Sequence, residues 1–420
     1  MLSWTHLAPQ PSVARQVDGG VSWPRGYRAS AAASGMKRRG WLDLGVLWSD
    51  RPAVSAMVCA SGSVAAAPVR LTRATSDCGH LRAVVVNAGN ANADTGKQGL
   101  ADAARMRLLT ANHLRLPVEQ VAVASTGVRG VALPMTKIER GIASAAGAGS
   151  GAAAAGPRGA DAFAGAIRAT DRRPKHGALE VETPDGVVRL GFAAKGCAAR
   201  HPDVTAVLCF ITCDAVIEGD AWASLVRDAV AASIARLALP GHDAASDMVL
   251  GFCNGASGVT PREAGLARVG DALQAALLAL AVAIASDALG KTRAVRLTVA
   301  GAPDAGSAET MARAVVCSSL MKAALSGKPP GWVSAAQAIE EALGSDAASS
   351  PVGVLLEDLV VIDSGRPVAL GGAQRDRLLE IMHQPGIALR VTVGDGPGAA
   401  VVYGNDVDSD SGAAPLGRHT

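Results

Sequence analysis

A layered α/β fold built in two or three lobes is what this sequence predicts, and three observations carry the prediction. Short runs rich in β-branched residues alternate with segments whose apolar residues recur at helical spacing, which is the pattern of mixed strands and helices packed in layers. The chain has 420 residues with 49% apolar content, enough for a sizeable core. Aromatic residues make up only 3% while Gly and Ala abound, so small side chains and closely approaching backbones must fill that core.

The elements follow in order. Residues 1–20 read as a loose tail. Alternation through Leu42, Leu44, Val46 and Trp48 predicts a strand. In "RAVVVNAGNANADTGKQGLADAARM" a buried strand at Ala83 to Val86 enters an Asn/Gly-rich turn and then a helix that starts near Thr95. "VAVAST" is a second short strand, ending at "STGVRG", and the Ala/Gly-rich segment 143–160 reads as a surface loop. From Leu179 onward a hairpin is expected, turned by Pro184, Asp185 and Gly186. The stretch "HPDVTAVLCFITCDAVI" then leads into another strand. Trp222, Leu225, Val226, Val230, Ile234 and Leu237 recur at helical spacing up to Pro240 and Gly241. A second Ala-rich helix over 264–286, a strand at "AVRLTVAG" and a helix from Ala308 to Leu325 complete the reading, with no internal repeat.

Composition excludes several function classes. The net charge of +3 is thinly spread, with no basic run interleaved with aromatics, so nucleic acid is not an expected partner. Seven cysteines lack zinc-site spacing and the density of a secreted disulfide scaffold; Cys209 and Cys213 in "CFITC" have no second pair, and no metal is expected. No apolar core follows a basic start at the N-terminus, and the apolar run 273–285 is too short for a bilayer, so a cytoplasmic protein without a membrane partner is expected. "DALGKT" fails as a phosphate loop because the first glycine it needs falls on Ala285. Neither G-x-S-x-G nor H-E-x-x-H occurs.

The remaining chemistry lies in small-residue turns. "VVVNAGNANADTGKQGLADA" and "VASTGVRGVALPMTKIERGI" resemble the bifunctional glutamate N-acetyltransferase/ornithine acetyltransferase family of arginine biosynthesis, and the similarity continues in order to Thr420. The resemblance implies a two-lobed α/β fold and a mechanism like that of N-terminal-nucleophile hydrolases, in which a precursor cuts itself before a threonine. It further implies acetyl transfer from N-acetylornithine to glutamate through an acyl-threonine, with no metal or organic cofactor. The implied fragments are 21–204 and 205–420, cut between Val204 and Thr205, and two of each would form a heterotetramer.

Residue by residue, the resemblance makes Thr126 and Gly127 of "STGV" the oxyanion site, through a hydroxyl and a backbone amide. Thr170, Lys195, Thr205 and Thr420 match positions that contact substrate. Thr205 is also the implied nucleophile, activated by the α-amine that self-cleavage frees. Read without the family, Thr205 is an ordinary β-branched residue opening a strand. Thr126 with Gly127 reads as a plain strand-ending turn, Lys195 as a solvated hairpin lysine, and Asn87, Asn90 and Asn92 as loop-shaping side chains. Three departures stand out. An ungapped match puts the family's threonine on Ala206, so Thr205 needs a one-residue shift, which in a strand reverses the side chain's face unless a turn or bulge re-aims it. Leu289 stands where a substrate-binding glutamate is expected, and Pro415 where an asparagine is. A relative with another acyl donor, or an uncleaved binding homologue, is the alternative these departures leave open.

Overall fold

The computed structural model describes residues 2–59, 65–147, 155–196, 206–239, 244–287, 292–326, 331–343 and 352–406. Those residues form three sheets. A four-stranded sheet runs in the order Tyr27–Ala32, Leu44–Ser49, Ala83–Asn90, Val121–Val128, with its last two strands parallel. A six-stranded sheet runs Ala14–Val17, Lys175–Thr183, Gly186–Lys195, Leu208–Cys213, Met248–Cys253, Val54–Cys59, antiparallel except where Leu208–Cys213 meets Met248–Cys253. The third sheet gathers six strands between Ala294 and Asn405.

Period-two alternation explains how the first two sheets stack. Val84 and Val86, with Ala122 and Ala124 of the neighbouring strand, share one core with Leu208, Phe210, Leu250 and Phe252 of the six-stranded sheet. Val85 and Val123, between them in sequence, point the other way and pack with Met106 of helix Gly96–Leu114 and with Ile138 and Ile142 of helix Met135–Ala146. On the far side, Leu190 and Ile211 meet Trp222 and Val226 of helix Gly219–Ala231 and Leu273, Leu277 and Leu280 of helix Glu263–Ala285. The result is a lobe of four layers: helix, sheet, sheet, helix. The third sheet, covered by Ala305–Cys317, Ser319–Ser326 and Trp332–Leu343, has its own core around Val295, Leu297, Val315, Ile339 and Leu389. The two-lobed α/β layering expected from the sequence is what the chain adopts.

Helix Glu263–Ala285 is long and apolar enough by length and composition to cross a membrane. Here it is a core helix, with Ala276, Leu277, Leu280 and Ile284 buried against the six-stranded sheet. The hairpin forms as expected, with Thr183 paired to Gly186 across the turn, and Thr95 is the residue before helix Gly96–Leu114.

Three expectations need correction. The first twenty residues are not a loose tail: Ala14–Val17 pairs antiparallel with Lys175–Thr183, and Leu2, Leu7 and Ala8 are buried. The sequence hides this because the apolar residues there follow no helical or strand period and are interrupted by Pro9 and Pro11; they pack singly. The segment called a surface loop is helical at both described flanks, up to Ala146 and again from Pro157, as the helix preference of alanine favours; its centre, 148–154, lies outside the described residues. The helix expected over 308–325 breaks at Ser318, whose extended backbone separates Ala305–Cys317 from Ser319–Ser326.

The N-terminal packing is testable. A Cβ at Gly386 would sit 2.6 Å from Leu7 Cδ1, so Leu7 fills the space beside the strand Gly386–Thr392 of the second lobe. Leu7→Ala is expected to lower unfolding stability by about 2–5 kcal/mol, measured by urea denaturation. A change below about 0.5 kcal/mol, the range of an ordinary surface substitution, would restore the loose-tail reading.

Candidate active site

The parallel pair Ala83–Asn90 and Val121–Val128 brings both small-residue motifs to the same end of the four-stranded sheet, with "STGV" still paired inside its strand and not forming the strand-ending turn its glycine suggested. Gly89 and Gly127 are opposite one another there, and the pairing shifts at Asn90. Gly127 has φ of +133°, and a Cβ on it would lie 2.2 Å from the Gly89 carbonyl carbon and 2.4 Å from the Asn90 nitrogen. Only glycine fits on both counts. Side chains lock the turn: Asn87 Nδ2 donates to the Asn90 carbonyl at 2.8 Å and Ser125 Oγ donates to Asn87 Oδ1 at 2.6 Å. Asn90 Nδ2 donates to the Val131 carbonyl at 2.9 Å, and the Asn92 N–H donates to Asn90 Oδ1 at 2.8 Å. The three asparagines therefore shape the loop, as read from the sequence.

Lys195 ends the strand Gly186–Lys195 and is fully buried, not a solvated hairpin residue. Its Nζ donates to Thr126 Oγ1 at 3.0 Å and to the Ala206 carbonyl at 2.7 Å. Lys195 pairs with Leu208 across the antiparallel ladder, which brings the start of the strand Leu208–Cys213 beside it. Ala206 is buried, and the N–H of Val207 after it donates to Asp247 Oδ1 at 2.7 Å. Thus Thr126, Lys195 and the residue following Thr205 meet at one ammonium, where the two stacked sheets converge. Thr205 itself lies outside the described residues, as do Val204, Leu289, Pro415 and Thr420. Thr170 is exposed on the loop after helix Pro157–Ala166 and immediately precedes a buried residue, Asp171.

Asp171 was not singled out from the sequence. Its carboxylate accepts from Lys175 Nζ at 2.9 Å, from the Gly196 N–H at 2.7 Å and from the Ala169 N–H at 3.2 Å, and it lies 4.0 Å from Lys195 Nζ. Burial would push this carboxyl up, but the ammonium groups of Lys195 and Lys175 and the Gly196 N–H outweigh it and bring it down to about 2. Lys175 also bridges to Asp287 at 2.5 Å; burial alone would lower its ammonium, yet the two carboxylates raise it. The spacing Asp171 to Lys175 was a sequence signal for this pair, but nothing local connects either residue to Lys195 or to Asp287.

A second cation, Lys37, was also missed. The buried Asp43 carboxylate accepts the N–H groups of Ser34, Gly35, Met36 and Lys37 at 2.6 to 3.1 Å, which folds residues 34–37 around it. That loop directs Lys37 Nζ onto the carbonyls of Leu42 and Ala166, each at 2.9 Å. Burial, only partly offset by Asp43, lowers the Lys37 ammonium to about 8.

The arrangement offers a hydroxyl at a glycine-permitted backbone turn, an ammonium behind it, and a chain segment leading directly to a threonine. This suits addition of a nucleophile to a carbonyl with stabilisation of the resulting oxyanion. Comparisons with known proteins agree with the resemblance first read in the turns. The ArgJ family model matches residues 28–410. "Arginine biosynthesis bifunctional protein ArgJ" of Symbiobacterium thermophilum is 38% identical over 366 residues, covering 86% of this chain and 89% of that protein. The protein of the same name from a Synechococcus species is 35% identical over 407 residues, covering 94% and 96% respectively. Among solved structures, an ornithine acetyltransferase complexed with ornithine from Mycobacterium tuberculosis shares 34% identity, with 44% of this chain and 95% of that chain covered and a TM-score of 0.39. With the family model spanning 28–410 and both ArgJ relatives matched over most of their own length, this chain belongs to the ArgJ family.

Proposed function

We propose that this protein is an acyltransferase of arginine biosynthesis that moves the acetyl group of N-acetylornithine to glutamate by a ping-pong route through an acyl-threonine on Thr205. The observation that carries this reading is the Lys195 ammonium, which binds the Thr126 hydroxyl and the Ala206 carbonyl together and so sets the residue after Thr205 against the oxyanion donor. A fragment ending at Val204, which keeps the packed N-terminal strand Ala14–Val17, and a fragment beginning at Thr205, two of each, form the working assembly, and the enzyme acts in the cytoplasm.

Maturation begins when the Thr205 hydroxyl adds to the Val204 carbonyl. The peptide C–N bond breaks, the Thr205 nitrogen leaves as an amine, and water resolves the Val204 ester. In that step the hydroxyl proton ends on the departing Thr205 nitrogen; in the mature enzyme the threonine hydroxyl is a weak nucleophile until a base accepts its proton, and the α-amine freed by the cut serves as that base. In the first half-reaction Thr205 Oγ adds to the acetyl carbonyl, the amide bond breaks, and ornithine leaves with the proton on its amine. In the second, the glutamate amine attacks the acetyl ester and restores the hydroxyl. Thr126 and the Gly127 amide stabilise the oxyanion each time. Thr170, Lys195 and Thr420 are the positions that the family resemblance assigns to substrate contact. Leu289 and Pro415 stand where the family resemblance expects a glutamate and an asparagine, and the loss of those two polar groups weakens the grip on N-acetylornithine.

Three outcomes follow from this chemistry. Intact mass of purified protein should show two fragments in place of one chain, the second beginning at Thr205; fragments starting elsewhere, or a single uncut mass after prolonged incubation, exclude Thr205 as the cleaving group. The acidic limb of kcat/KM should fall at about pH 7.7–8.0, the ordinary range of an α-amine, because below it the protonated amine cannot accept the threonine proton. Thr126→Ala should lower acetyl turnover about 10²-fold while circular dichroism stays unchanged, and an undiminished rate in the folded variant removes Thr126 from the reaction.

A further inference from the structure

We infer that Asp171 and Lys195 form a positioning relay for Thr126: Asp171 holds the Lys195 ammonium in place, and that ammonium, by donating into the Thr126 oxygen, leaves the Thr126 proton to serve as the oxyanion donor. The inference rests on the acyl-threonine reading above and supplies the device that aims its donor.

Hydrogen-bond direction decides the matter. An ammonium has three donors and no acceptor, so in the 3.0 Å contact Lys195 donates and Thr126 Oγ1 accepts. A threonine hydroxyl has a single proton, and with a cation's N–H directed at its oxygen that proton turns away from Lys195. Among the described residues no carbonyl or carboxylate accepts it. A hydroxyl that accepts from a cation is polarised and donates more strongly in turn. Thr126 keeps its proton throughout; it lends a hydrogen bond to the acetyl oxygen as charge develops there.

The partners of Lys195 leave it little freedom for anything else. One N–H goes to Thr126, a second to the Ala206 carbonyl at 2.7 Å, and the nearest carboxylate is Asp171 at 4.0 Å, with both side chains buried. Asp171 is itself fixed by Lys175 and by the N–H groups of Gly196 and Ala169. Gly196 directly follows Lys195, so one carboxylate fixes both the charge of that lysine and the backbone beside it. Lys175 is anchored in turn by Asp287, at the end of helix Glu263–Ala285. The chain Asp287, Lys175, Asp171, Lys195, Thr126 balances two carboxylates against two ammoniums, the condition under which charges persist in a dry interior. Lys195 thus acts on the reaction through Thr126 more than by gripping substrate.

A double-mutant cycle in the full-length protein tests the relay. Lys195→Met and Asp171→Asn should each lower kcat about 10- to 10²-fold, with KM for N-acetylornithine held within about twofold. In the Thr126→Ala background, each should cost less than about threefold more, because the group they act through is gone. A raised KM with unchanged kcat would make Lys195 a substrate-gripping residue and overturn the relay, as would losses that multiply in full in the double variants. Should Asp171→Asn fail to fold, Lys195→Met completes the cycle alone. A wild-type protein with no acetyl transfer at all would sink the proposed function instead, and the relay is then read by NMR on protein with 15N-labelled lysine. The Lys195 ammonium resonance, slow to exchange in the wild type, should be lost in Thr126→Ala and Asp171→Asn; a signal unchanged in both overturns the relay.

Discussion

A buried ammonium is the constraint on which this site depends. Taking Lys195 out of water costs several kcal/mol unless hydrogen bonds and a counter-charge replace its hydration, and the replacement comes from three parts of the chain far apart in sequence. Thr126 comes from the four-stranded sheet, Ala206 from the approach to a strand of the six-stranded sheet, and Asp171 from the loop after helix Pro157–Ala166. Each must be within reach for the buried lysine to keep its hydrogen bonds and its counter-charge. Stacking of the two sheets and closure of the site are therefore one event: a chain that failed to bring Thr126 against Lys195 would leave an uncompensated charge in its core. Because its neighbours bring Asp171 down to about 2, it stays a carboxylate throughout the range in which an enzyme works, and the counter-charge does not come and go with pH.

Backbone geometry supplies the second half of the site. Gly127 approaches the Gly89–Asn90 peptide so closely that no side chain fits, and its left-handed φ turns the chain just after Thr126. The asparagine ladder holds that turn from the opposite strand. The oxyanion donor thus sits on parallel strands buried on both faces, and not on a free loop. Such preorganisation lets a hydroxyl contribute to a transition state without reorganising as charge develops.

Much of this was legible in the sequence. The "STGV" motif, the Asn-rich segment before it, the Pro184–Gly186 hairpin and the α/β layering all have local signatures: strand periodicity, turn residues and small-residue motifs; "STGV" itself is the last part of the strand Val121–Val128 and not a turn that ends it. What escaped was non-local. Lys195 reads as a solvated hairpin lysine because nothing in "FAAKG" announces that Thr126, sixty-nine residues earlier, will accept its proton's hydrogen bond. Asp171 and Lys175 are visible as an Asp-x-x-x-Lys spacing, but their tie to Asp287 spans more than a hundred residues. Leu2 and Leu7 read as a tail because they pack without period, and the break at Ser318 was hidden inside a continuous apolar pattern. Thr205 and Ala206 mark the other boundary. Their order in the chain departs from the family pattern, while the Ala206 carbonyl lies on the same ammonium as Thr126, and so the identity of the nucleophile turns on chemistry at Thr205.

Mass spectrometry of the protein mixed briefly with N-acetylornithine and quenched in acid tests that chemistry most directly. The account predicts one acetyl group on the peptide that begins at Thr205, bound as an ester to its hydroxyl and discharged when glutamate is added. Acetyl on any other residue, or on none while transfer to glutamate proceeds, would contradict it.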